Sequence, residues 1–357
     1  MLIPFRMNRL FSLPLAALLL LAAPSQAAPA DAAVASLEYN LECVICAKNA
    51  KSVQRLVENG LGPEIDSERH AVHPASAAVM KEAAKTHFVF VTGFMGDFSS
   101  PGTYFQEWAN ALGEKDLKAA SVTILKPPSY LSISDNADGV LQYIKRSVLQ
   151  NGDKRKVVLV GHSMGGPTVA LALFRSQADP ALRGRIAAAV SIQGAHGGSD
   201  EFSFFRAFNF LPVSPFGGVA SLAPGEPNQV LENTIRDAKL TAAEVHALSQ
   251  RLFYIPTSTT ADNVMGTPLM PGHMSYSLMN KTSDGVLLTE RQTNPLYGRI
   301  LGKVPLENVA HLDSVMVNPW AKMLAPWWST ENQRSFPHAM ARVVVKRILG
   351  INLKSSR

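Results

Sequence analysis

Residues 157–171 read VVLVGHSMGGPTVAL. An apolar, β-branched run stops at Gly161, a serine follows one residue later, and two more glycines lead into an apolar run of helical period. A run apolar on both alternating faces reads as a strand buried on both sides, as in parallel sheets covered by helices. The stretch after the serine reads as a helix with Pro167 in its first turn, where the missing N–H costs little. The segment therefore asks for a central strand, a sharp turn and a helix, with a serine at the turn.

The rest of the chain repeats the alternation. His87–Thr92 is an aromatic and β-branched strand ending at Gly93, and FQEWANALGEKDL from Phe105 has helical spacing at Trp108 and Leu112. ASVTILKPP is a second strand closed by Pro127 and Pro128. ADGVLQYIKRSVLQNG is amphipathic and stops at Gly152. KVVLV from Lys156, RIAAAVSIQG and RLFYIPTST supply three more strands. Strands alternating with helices predict an α/β fold with a mainly parallel central sheet and helices on both faces. Ligands in such sheets bind beyond the carboxyl ends of the strands.

At 357 residues, 46% hydrophobic and 17% charged, the chain can build one large core. The expected organisation is a single domain over 87–357, preceded by an N-terminal extension over 31–86 in which KNAKSVQRLVENG forms a short helix. An inserted cap spans about 199–246 and holds Phe202, Phe204, Phe205, Phe208, Phe210 and Phe216. Residues 1–27 have the layout of a secretory signal peptide: Arg6 and Arg9, then the apolar FSLPLAALLLLAA, then small residues, with cleavage between 27 and 30. The apolar run is short for a membrane span. The expected product is exported, to the periplasm or the medium. Its two cysteines, Cys43 and Cys46, fit a local disulfide in that oxidising setting. The net charge of +6 is mild, and no basic run is interleaved with aromatics, so nucleic acid is not an expected partner.

Gly161-His162-Ser163-Met164-Gly165 fits a G-x-S-x-G elbow, in which the flanking glycines remove Cβ atoms that would strike the adjoining strand and helix. A serine hydroxyl is a poor nucleophile and needs a base held by a carboxylate. In this topology the order is Ser, acid, His. Asp284 in KTSDGVLL and His311 in NVAHLDSV satisfy that order. His196, His246 and His273 precede Asp284, and His338 opens a C-terminal helix; Asp200 and Asp262 are the rival acids. An oxyanion hole needs two backbone N–H groups, expected from Met164 and from Phe94 in the loop after the first strand.

VTGFMGDF, VGHSMGG, SIQGAHGGSD, SDGVL and AHLDSV together resemble the α/β-hydrolase superfamily, and within it the secreted bacterial triacylglycerol lipases and esterases. By position, Ser163, Asp284 and His311 match the family's triad, and Phe94 and Met164 its oxyanion donors. Thr92 stands where the family has the His of an HG pair, and Ala195 where it has a Pro. The resemblance also implies a structural calcium held by Asp262 and Asp313. Val317 replaces the Gln that would complete the side-chain set, so no cofactor is expected.

The resulting expectation is an exported enzyme that cleaves carboxylic esters through an acyl-enzyme. Its substrate is a small-molecule or lipid ester, and the Phe-rich cap allows contact with a lipid interface. Two alternatives share the same residues: an acyltransferase, thioesterase or polyester hydrolase on the same triad, and a non-catalytic binding protein of the same fold.

Overall fold

The central strands are apolar on both faces because both faces are covered. The computed structural model describes residues 61–94, 96–99, 102–199, 217–259, 277, 283–284, 286–301, 309, 311, 313–316 and 335–355. The N-terminal leader-like segment, the KNAKSVQRLVENG helix, Cys43, Cys46 and the phenylalanines of the cap lie outside the described residues, as do Asp200, Asp262, His273 and Val317.

Helices α1 (Leu61–His70) and α2 (Ala77–Ala83) precede strand β1 (Thr86–Val91). Then come α3 (Gln106–Gly113), β2 (Ser121–Leu125), α4 (Ile133–Tyr143), β3 (Lys156–His162) and α5 (Gly165–Arg175). They are followed by β4 (Ile186–Ile192), α6 (Glu226–Asp237), α7 (Ala242–Ser249), β5 (Leu252–Ile255), β6 (Arg299–Ile300) and α8 (Phe336–Ser355). The six strands form one sheet in the order β2-β1-β3-β4-β5-β6, and every pair is parallel. The serine-bearing strand β3 is central, between β1 and β4.

Side-chain alternation divides the core in two. Phe88, Phe90, Val158, Val160, Val190 and Phe253 face one layer, where they meet Trp108 and Leu112 of α3, Leu61 and Ile65 of α1, and Met340, Val344 and Ile348 of α8. Val89, Val91, Val157, Leu159, Ala189 and Tyr254 face the other, against α4, α5, Leu231 of α6 and Leu248 of α7. Helix α5 is buried from Gly165 through Phe174, which explains why its sequence is apolar on every side.

Three details depart from the sequence reading. The stretch read as one helix over 137–152 starts earlier, at the N-cap Ser132, whose hydroxyl accepts from the Asp135 N–H; after Tyr143 it widens into a π turn over Ile144–Val148. Strand β6 has only two residues, too few for any periodic signal. In the segment read as a cap, α6 and α7 lie on the α5 side of the sheet as part of the crossover from β4 to β5. Helix α7 opens with a capping box between Thr241 and Glu244, which satisfies donors that the first turn leaves unpaired.

Candidate active site

The turn between β3 and α5 is as tight as the glycines suggested. A Cβ on Gly161 would stand 2.0 Å from the carbonyl oxygen of Gly165, and one on Gly165 would stand 2.3 Å from that of Val91. Both approaches are to backbone that cannot swing away. Ser163 itself has φ 55°, in the left-handed region that side-chain-bearing residues rarely occupy. Three backbone hydrogen bonds hold it there: its N–H donates to the Ile192 carbonyl at 3.1 Å, and its own carbonyl accepts from Gly166 at 3.0 Å and Ala195 at 3.1 Å. The last of these bonds uses the Ala195 N–H. Between Val157 and Phe174 every residue is buried except Ser163. Ser163 is therefore the one partly exposed residue of this strand–turn–helix, at the carboxyl edge of the sheet.

Asp284 and His311 meet beyond the same edge. Asp284 is fully buried; its Oδ1 accepts from the N–H groups of Val286 at 3.0 Å and Leu287 at 2.8 Å. Its Oδ2 accepts from Nδ1 of His311 at 2.8 Å, and the His311 N–H donates to the Asp284 carbonyl at 2.9 Å. A proton committed to Nδ1 leaves Nε2 of His311 as the basic nitrogen. The His311 ring stands against that of His162, the residue before the serine, with centroids 4.7 Å apart.

The loop after β1 closes the third side. Gly93 abuts the serine closely enough that a Cβ on it would stand 2.6 Å from Ser163 Cβ, and Phe94 follows, half-buried. Asp97 fastens this loop to the one after β2 by accepting from the Ser129 N–H at 3.1 Å and from its hydroxyl, while Lys126 donates to the Ser99 carbonyl at 2.7 Å. Thr92 lies beneath: its side chain occupies the space a Cβ on Gly96 would need. Met164, buried, is the N-cap of α5 with no side-chain cap, so its N–H belongs to the group of donors at a helix start that have no intrahelical partner.

The rival histidines have other settings. His196 is buried under the elbow, where its Nε2 is hydrogen-bonded to the Ser191 hydroxyl at 2.8 Å and burial pushes its pKa down to about 3. His246 is half-buried on α7, and His338 lies between Glu107 and Glu114. Of the calcium pair, Asp313 is described and half-buried while Asp262 is not described; among the described residues no group of three or more His, Cys, Asp or Glu is placed to hold a metal.

Behind the serine is a set of buried polar residues that the sequence did not bring forward. Tyr104, His162, Gln193, Thr257, Gln292 and Ser314 are all buried. The only signal that could have found Gln193 is its place just past the end of β4, the same edge that carries Ser163. Burial, and next the neighbouring His311, push the His162 pKa well below its usual value, so this ring is neutral.

No protein-family model and no curated protein sequence matches the chain. Solved structures similar to it include a metagenomic carboxyl esterase, 20% identical with a TM-score of 0.48, covering 77% of each chain. Another is the mature form of a lipase from Bacillus licheniformis, 18% identical with a TM-score of 0.47, covering 72% of this chain and 94% of that one. A phospholipase from Legionella pneumophila is 13% identical with a TM-score of 0.42, covering 58% of this chain and 44% of that one. The strand order, the parallel direction of every pair and the strand–serine–helix turn at the centre of the sheet give this chain the α/β-hydrolase fold.

Proposed function

We propose that the protein is an exported serine hydrolase that cleaves carboxylic esters with an apolar acyl group, using Ser163, His311 and Asp284. The observation that carries this reading is the strained, partly accessible Ser163, whose preceding residue His162 stands ring against ring with a histidine bonded through Nδ1 to a buried, otherwise saturated carboxylate. Ser163 Oγ attacks the ester carbonyl while Nε2 of His311 takes its proton. The N–H groups of Met164 and Phe94 receive the negative charge that builds on the carbonyl oxygen. The tetrahedral adduct collapses with breakage of the bond to the alcohol oxygen, which takes the proton back from His311, and the acyl group stays on Ser163. Water, deprotonated by the same nitrogen, then releases the acid. Asp284 stays ionised and stabilises the imidazolium at both steps. The apolar acyl preference rests on the six phenylalanines within residues 202–216.

The test is mass spectrometry of the purified protein after a fluorophosphonate probe, with ester hydrolysis measured in parallel. The expected result is one adduct, on Ser163, lost in Ser163→Ala and in His311→Ala, together with loss of hydrolysis. A Ser163→Ala protein that still hydrolyses esters at the original rate overturns the assignment.

A further inference from the structure

We propose that Tyr104, His162 and Gln193 are positioning residues, forming one buried hydrogen-bonded chain that sets the loop carrying Phe94 and the loop carrying His311 in a common frame. This rests on the reading of Ser163, His311 and Asp284 as the reacting groups, and it names what keeps them aligned.

Donors and acceptors along the chain run in one direction. His162 Nε2 lies 2.6 Å from the backbone carbonyl of His311, which can only accept, so Nε2 carries the proton. Nδ1 is then an acceptor, and the Tyr104 hydroxyl, 2.5 Å away, must donate to it. The same hydroxyl oxygen accepts from the Gly93 N–H at 3.0 Å. One tyrosine and one histidine thus connect the residue before Phe94 to the backbone of His311. The His162 tautomer follows from its partners and leaves no alternative direction.

Gln193 closes the arrangement on the other side. Its φ of 48° is left-handed, a conformation a buried glutamine holds only when its surroundings impose it. Its Oε1 accepts from the Ser314 hydroxyl at 2.5 Å and lies 3.1 Å from His162 Nε2. Its amide nitrogen donates to the Thr257 hydroxyl at 2.5 Å, and that hydroxyl donates to the Val309 carbonyl at 3.2 Å. Val309 and Ser314 flank His311, so both sides of the histidine's loop are tied to the ends of β4 and β5. The segment bearing Tyr104 is pinned to the same loop independently. The Phe105 N–H donates to the Val315 carbonyl at 3.0 Å, and the Trp108 indole N–H to that of Ser314 at 2.8 Å.

Core stability alone would be served as well by apolar residues here. A fully satisfied polar chain instead selects a single arrangement, because any shift of one member strands a buried donor or acceptor. The members also join just those segments whose relative placement decides whether Nε2 of His311 faces the serine, and whether Phe94 faces the developing oxyanion.

The experiment compares Tyr104→Phe and Ser314→Ala with Tyr143→Phe. Tyr143→Phe removes the hydroxyl of a half-buried tyrosine on α4, which donates to Thr123 of β2 at 3.1 Å. For each, kcat and KM on a short-chain p-nitrophenyl ester, the rate of Ser163 modification by a fluorophosphonate, and the melting temperature are measured per folded molecule. Tyr104→Phe and Ser314→Ala are expected to lose about 10- to 100-fold in kcat and in modification rate with KM within about threefold, the signature of misplaced rather than missing groups. Tyr143→Phe is expected to keep kcat and modification rate within about twofold, with a smaller loss of melting temperature. If Tyr104→Phe and Ser314→Ala melt earlier but react at the original rate, the chain is structural only and the proposal falls. Should Tyr104→Phe not fold, Ser314→Ala decides alone. Failure of the underlying reading shows separately, in the original protein, as absence of any adduct on Ser163.

Discussion

Asp284 has almost no freedom in what it presents to His311. The N–H groups of Val286 and Leu287 both require an acceptor at the Oδ1 position. In Asp284→Asn the amide oxygen must take that position, which turns the NH2 group toward His311. Nδ1 then has to accept, its proton moves to Nε2, and the proposed base is lost. Hydrolysis is expected to fall by about 10⁴-fold in kcat, the scale seen when a triad aspartate becomes asparagine, with KM and melting temperature nearly unchanged. Steady-state kinetics with a circular-dichroism melt checks this, and a fall below tenfold would remove Asp284 from the assignment. At this scale the sequence was legible where a residue's chemistry is rare and its neighbours distinctive, as at Ser163 between glycines or His311 in HLD. Tyr104 and Gln193 were not, because a tyrosine in a loop and a glutamine after a strand look ordinary until the fold sets them 58 and 121 residues away from their partners His162 and Ser314.

The elbow shows what an element demands of its residues. Gly161 is the last strand position but one, and its missing Cβ makes room for the Gly165 carbonyl 2.0 Å away. Gly161→Ala has no side chain to displace, only backbone, so the strand and helix must part. The expected loss is about 1–3 kcal/mol of stability, with slower modification of Ser163, read from urea unfolding and probe kinetics. Gly113→Ala, where a Cβ meets nothing within 4 Å, is the matched control and should leave stability within about 0.5 kcal/mol or raise it. Elements with long uniform burial were readable for the same reason that they are stable. Strands β1, β3 and β4 are apolar along their middles because both faces are covered there. Strand β6 and the widened turn after α4 have no periodic pattern of their own, since neighbouring elements determine them.

At the scale of the whole molecule, a buried charge cluster ties the C-terminal helix to the first one. Arg342 of α8 is fully buried and donates to Glu68 of α1 at 2.5 Å, to both oxygens of Asp116 at 2.9 and 2.7 Å, and to Glu114. Lys346 completes the neutralisation of Glu68 at 2.6 Å. Burial alone would raise the Glu68 pKa, but the hydrogen bonds from Lys346 and Arg342 outweigh it and hold the carboxyl below its usual value. Arg342→Met strands these acids and is expected to cost about 3–5 kcal/mol, measured by chemical denaturation at neutral pH. Chiefly through its hydrogen bonds to Arg342, the pKa of Asp116 is held down from 3.8 to about 2. A folded-state value below the unfolded one gives stability that is complete above 3.8 and drains away as pH falls toward 2. That part of the acid loss should be missing from the Arg342→Met melting profile; an unchanged profile would mean the cluster carries no such linkage.

The same cluster bears on the order in which the chain can become a protein. Glu68 and Arg342 are 274 residues apart, and α8 supplies Met340, Val344 and Ile348 to the layer it shares with α1, α2 and α3. Until α8 is delivered, this layer lacks its last apolar helix and Glu68 of α1 lacks the Arg342 and Lys346 that pair with it. Contacts of such span make folding slow, since a long loop must be closed before any of them repays its entropy. For a chain proposed to cross a membrane before it works, late closure keeps the early segments extended and threadable while the rest is still being made.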